Sequence, residues 1–109
     1  METEKSYLGK WRIQTMEVWD KDFIDLNGPG RLVVEDNGIG FLKFGAVETE
    51  VDFRVESVGG FERLKFSFEG EDEGDPVSGR GWAEVAGSEM NGKIYFHMGD
   101  DSGFTAKIG

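Results

Sequence analysis

Residues 9–20, Gly9-Lys10-Trp11-Arg12-Ile13-Gln14-Thr15-Met16-Glu17-Val18-Trp19-Asp20, form the longest unbroken strand-like run of the chain and carry two of its three tryptophans. Trp11, Ile13, Thr15, Glu17 and Trp19 share one parity, whereas Met16 and Val18 share the other with Arg12 and Gln14. Side chains alternate between the two faces of a strand, so a half-buried strand keeps its apolar residues on one parity. The switch predicts a β-bulge near Gln14-Thr15, where one extra residue moves every later side chain to the opposite face. The other reading is a strand covered on both faces near its end.

Downstream of this run, Asp20 to Gly30 (DKDFIDLNGPG) surrounds Phe23, Ile24 and Leu26 with turn-forming residues. That composition predicts a helical turn or a lid over one end of the fold. Arg31 to Glu35 reads as a short strand, and Asp36-Asn37-Gly38 as the hairpin turn after it. Gly40, Leu42 and Phe44 continue on one face, and Gly45-Ala46 forms a corner. Val47, Val51, Phe53 and Val55 then alternate with Glu48, Glu50, Asp52 and Arg54 in a strict period of two. Gly59-Gly60 is the next turn, and Leu64, Phe66 and Phe68 carry the strand after it.

The acidic stretch EGEDEGDP (residues 69–76) reads as a loop that breaks the strand; Val77 to Val85 returns, and Met90 to Met98 follows. Gly99 to Gly103 is expected to turn, and Phe104, Ala106 and Ile108 close the chain. The pattern predicts an all-β fold of seven to eight strands joined by short turns. It suits an up-and-down antiparallel meander closed as a small barrel, or a two-sheet sandwich, and the short connections favour the meander.

Pair chemistry suggests registers. Phe68 opposite Gly79, Phe66 opposite Gly81 and Leu64 opposite Ala83 set large beside small on the inner face, with Ser67 by Arg80 and Lys65 by Trp82 outside. For the next hairpin, a loop around 87–89 places Glu84 by Lys93, Trp82 by Tyr95 and Arg80 by His97. Such pairs each contribute about 0.2–1 kcal/mol. A tight Asn91-Gly92 turn is the competing register.

Composition limits the function classes. The 109 residues suit one domain, expected over residues 7–109 after a disordered polar start at 1–6. Seventeen glycines with only two prolines, and nine Phe with three Trp, describe a folded, turn-rich chain. Twelve basic against twenty-two acidic residues give a net charge of −10, which repels phosphate backbones and anionic membranes. Nucleic acid and membrane are therefore not expected partners. The absence of cysteine and of a long apolar run fits a cytoplasmic protein.

The Gly9-Lys10-Trp11 string on the opening strand resembles the first signature of lipocalins and the wider calycin group, G-x-W. The resemblance implies a tryptophan that closes one barrel end beneath a basic side chain of the last strand, for which Lys107 is the candidate. The chain is shorter than a typical lipocalin and lacks the T-D-Y signature. Three further strings, MEVWDKDFIDLNGPG, EGEDEGDPVSGRGWAEV and GKIYFHMGDDSGFTA, resemble a group of short bacterial hypothetical proteins. Those strings cover 47 of the 109 residues, and the resemblance supports a lipocalin-like barrel without supplying a reaction.

Few residues suggest chemistry. His97 is the single histidine, and with Arg80, Ser67 and Glu69 it defines a polar strip, either a site or a ladder of sheet pairs. One histidine without cysteine cannot build a histidine-rich zinc centre, and the Asp20–Gly30 stretch departs from the EF-hand pattern at Ile24 and Arg31. No cofactor or metal is expected. Seven bulky inner side chains argue for a filled barrel, while Gly40, Gly79 and Gly81 argue for some residual space.

The expected function is a non-catalytic binding module for a small apolar or aromatic ligand at one barrel end, near Trp11, Glu17, Trp19, Phe23 and the Asp20–Gly30 lid. The alternative is an interaction or self-association module, for example a homodimer, using the outer strip of Arg80, Trp82, Tyr95 and His97. An enzyme would need His97 buried with Glu17, Glu69 or Arg80.

Overall fold

A computed structural model describes residues 7–109; the expectation for residues 1–6 lies outside the described residues. The elements run β1 (Gly9–Met16), α1 (Lys21–Ile24), β2 (Arg31–Val34), β3 (Ile39–Phe44), β4 (Val47–Val58), β5 (Phe61–Asp72), β6 (Asp75–Ala86), β7 (Glu89–Phe96) and β8 (Asp101–Ile108). Each strand pairs antiparallel with its neighbour in sequence, and β8 pairs back onto β1. The fold is an eight-stranded up-and-down barrel, and the sandwich alternative is excluded. Among the described residues no helix is long and apolar enough to cross a membrane.

The parity switch in β1 is a bulge. Trp11 and Ile13 pair with Ile108 and Ala106, the register then shifts, and Thr15 and Met16 pair with Thr105 and Phe104. The extra residue lets Trp11, Ile13 and Met16 all face the core although Met16 has the opposite parity. Two-residue turns at Gly45-Ala46, Gly59-Gly60, Glu73-Gly74 and Gly87-Ser88 join the hairpins from β3 to β7. The first residue of each of the glycine-led turns has positive φ (Gly45 57°, Gly59 56°, Gly87 65°), as tight hairpins require.

The β5–β6 register is the expected one, with Phe68, Phe66 and Leu64 opposite Gly79, Gly81 and Ala83. Three other expectations are corrected. The acidic stretch 69–76 does not break the sheet: β5 and β6 run through it to the Glu73-Gly74 turn. The last turn is His97–Asp100, and Asp101 to Gly103 already belongs to β8, where Ser102 is buried. In the β6–β7 hairpin, Trp82 lies opposite Lys93 and Arg80 opposite Tyr95, two residues from the expected register. The Gly87-Ser88 turn sets this pairing, which places Ile94 and Phe96 opposite Gly81 and Gly79 on the inner face. The expected register would equally set Phe96 and Ile94 beside Gly81 and Ala83, so it is the two-residue turn, with Gly87 at positive φ, that outweighs the outer-face pairs on which that register rested.

Interior space at the glycines is filled. A side chain at Gly79 would collide with the Phe68 ring, one at Gly81 with the Phe66 ring, and one at Gly40 with the Phe53 ring. These rings lie over the glycines of neighbouring strands, so the missing side chains accommodate aromatic bulk instead of leaving a hollow. Trp11, Ile13, Leu42, Leu64, Met90 and Ile94 complete the buried cluster.

Candidate functional site

In a meander, alternate turns fall at the same end. The lid after β1 therefore shares an end with the Gly45-Ala46, Glu73-Gly74 and His97–Asp100 turns. The start of β1, the end of β8 and the other turns lie at the opposite end.

The lid is held by local chemistry. Asp20 caps α1, its Oδ1 accepting from Phe23 N at 2.9 Å. Asp25 follows the helix and gathers three donors. Its Oδ1 accepts from Gly30 N at 3.0 Å, and its Oδ2 lies 2.9 Å from Lys21 Nζ and 3.8 Å from Arg12 Nη2. The Gly30 hydrogen bond, followed by the Lys21 hydrogen bond, holds the Asp25 carboxyl below its ordinary value; partial burial opposes them. Lys21 Nζ also donates to Ile13 O at 2.8 Å, beside the β1 bulge. On the far side, Gly45 N donates to Ile24 O and Asn27 Nδ2 to Gly45 O, both at 3.0 Å. Gly45 has no side chain, and the Phe23 ring lies against it.

This anchoring places Phe23 and Trp19 over the barrel end. The Trp19 ring is 5.0 Å from Phe44, 5.8 Å from Phe96 and 6.3 Å from Phe23, and Phe96 continues to Phe68 at 5.2 Å. Such ring pairs contribute about 0.5–1.5 kcal/mol each beyond their area. Between this cluster and the two facing hairpin tips lies an open cavity of about 340 Å³. Trp19, Phe23, Val47, Val77 and Phe96 form its apolar wall. Asp72, Pro76, Ser78 and the His97–Asp100 turn form its rim. Its size falls in the range of about 300–1,000 Å³ usual for ligand sites.

A second depression, of about 1010 Å³, runs over the outside of β4 to β7. Glu50, Asp52, Glu69, Arg80, Tyr95 and His97 line it, and it shares Ser78, Phe96, His97 and Met98 with the mouth. Met98, 93% exposed with φ 57°, stands at the junction.

The expected site residues separate into three groups. Trp19, Phe23 and His97 meet at the mouth. Trp11 does not join them: a strand rises roughly 3.3 Å per residue, so Trp11 near the start of β1 and Trp19 beyond its end stand at opposite ends of the barrel. Trp11 is 1% exposed, and its Nε1 donates to Tyr7 O at 2.8 Å. Lys107 does not cover it. Lys107 pairs with Arg12 on the outer face, and its Nζ lies 3.6 Å from Glu89 Oε1. Glu17 ties β1 to β8, its Oε1 accepting from Gly103 N at 3.3 Å, and does not line the mouth.

Arg80 and Trp82 belong to the outer strip. Arg63 stacks over Trp82 at 4.5 Å, while Arg80 and Lys93 lie 5.2 and 5.4 Å from the Tyr95 ring centre. Trp82 Nε1 donates to Tyr95 Oη at 3.3 Å. The aromatic surfaces of this strip are engaged by its own cations. His97 is exposed. Among the described residues no group of three or more His, Cys, Asp or Glu is arranged to hold a metal ion.

Val77, Phe96, Asp72 and Asp100 line the mouth, although their positions in the sequence do not mark them as site residues. The available signal is the alternation of turns between ends, since it puts both hairpin tips beside the lid. Comparisons with family models, curated proteins and solved structures find no match to the chain.

Proposed function

We propose that this barrel is a non-catalytic binding module, which takes a small apolar or aromatic ligand in the mouth beneath the lid. The supporting observation is the aromatic-walled cavity at Trp19, Phe23 and Phe96, set at the end of an otherwise filled barrel. Binding sites combine an apolar wall with a few polar groups at the edge, and this mouth has both. The G-x-W opening and the closed meander are compatible with a lipocalin-like relation, in which ligand binding at a barrel end is the expected use.

The test is a titration of tryptophan emission with an environment-sensitive apolar probe. The expected result is saturation at one probe per chain, with energy transfer from Trp19. Trp19→Ala and Phe23→Ala should each weaken probe binding, whereas Trp82→Phe should leave it unchanged. A folded protein that binds no probe saturably would overturn the proposal.

A further inference from the structure

Two carboxylates edge the mouth, and no lysine or arginine is among the residues that line it. Asp72 stands at the end of β5, opposite Asp75 across the hairpin, and is half-buried. Asp100 closes the β7–β8 turn, its backbone carbonyl accepting from Phe96 N at 3.0 Å. Among the described residues, neither side chain makes a hydrogen bond or an ion pair. Two carboxylates of the lid are engaged, Asp20 capping α1 and Asp25 holding Lys21, Arg12 and Gly30, while Asp22 of α1 makes no side-chain hydrogen bond or ion pair.

The wall next to these unpaired charges is aromatic. Trp19, Phe23 and Phe96 present ring surface to the same cavity. Ring faces are the negative side of the aromatic quadrupole and attract cations, Trp most strongly. The long-range field has the same sign, because the chain carries a net charge of −10 and focuses cations into acidic concavities.

We propose that the mouth selects an aromatic or apolar ligand bearing an ammonium group, with the cation between Asp72, Asp100 and the Trp19 ring. This inference rests on the mouth being the binding site. An anionic ligand would face two unpaired carboxylates, and a neutral one would leave both without a partner.

The test compares three single-ring probes by calorimetry at low ionic strength: benzyltrimethylammonium, 2-phenylethanol and phenylacetate. The ammonium probe is expected to bind one per chain, about tenfold more tightly than 2-phenylethanol. Its affinity should fall with added salt. The Asp72→Asn, Asp100→Asn double variant, checked for folding by circular dichroism, should lose the preference of the ammonium probe over 2-phenylethanol. Equal binding of the alcohol, or a preference for phenylacetate, would overturn the ammonium inference and leave the apolar mouth standing. No saturable binding of any probe would overturn both.

Discussion

At Gly79 and Gly81 the inner face lacks a side chain, and the rings of Phe68 and Phe66 take the room. A methyl group at Gly81 would meet Phe66 Cζ and Lys93 O, neither of which can retreat without disturbing the sheet. Gly81→Ala is therefore expected to destabilise by about 1–3 kcal/mol, measured by urea unfolding. Asp25 acts differently, through charge. Its carboxyl titrates lower in the folded protein than its ordinary 3.8, so the stability it contributes is present above that value. It is lost as pH falls through the lower folded value. Acid titration of Trp19 emission should show the lid loosening in that window, and Asp25→Asn should flatten the response. At neutral pH the same variant should cost about 1 kcal/mol, since Asp25 keeps 25% of its side chain exposed.

The β1 bulge and the β6–β7 hairpin show how an element is set. Gln14 is the extra residue that lets Trp11 and Met16 share the core, and Lys21 of the lid binds the neighbouring Ile13 carbonyl. Deleting Gln14 would force one of the two core groups outward, at about 1.5–3 kcal/mol for each large side chain exposed. The expected readouts are a lowered thermal midpoint and a changed Trp19 emission, because the lid loses its register with β1. On the other side of the barrel, Arg63 over Trp82 bridges β5 and β6. A double-mutant cycle of Arg63→Ala and Trp82→Ala should give a coupling of about 0.5–1 kcal/mol. A coupling near zero would mean that the cation–ring contact does not stabilise the strip.

For the whole molecule, closure is decisive. β8 pairs with β7 on one side and with β1 on the other, so it is the strand that removes both open edges. Truncation after Asp100 would expose two rows of unpaired backbone groups and remove Phe104 and Ala106, both buried, from the core. The expected outcome is loss of the cooperative unfolding transition and growth of large species in size-exclusion chromatography. A truncated chain that stays monomeric and unfolds cooperatively would show that closure is dispensable.

Much of this architecture is legible in the amino-acid sequence, because the controlling interactions are local. The strict alternation at 47–55, the parity switch at Gln14, the lid at Asp20 and the turns at Gly45 and Gly59 each depend on neighbours within a few residues. The β5–β6 register is legible too, since Phe66 and Phe68 have one obvious set of small partners in Gly81 and Gly79. The β6–β7 register is not. Both alternatives keep the same faces inward and set large residues beside small ones there, so pair chemistry does not separate them, and the two-residue Gly87-Ser88 turn does. The mouth, by contrast, is a tertiary product. Trp19, Asp72 and Phe96 are far apart in sequence, and only the closed barrel, with its stagger and its alternating turns, brings them together while sending Trp11 to the other end. Sequence by itself determined which residues pair and turn locally; long-range closure decided which rings fill the interior and which are left to line an opening.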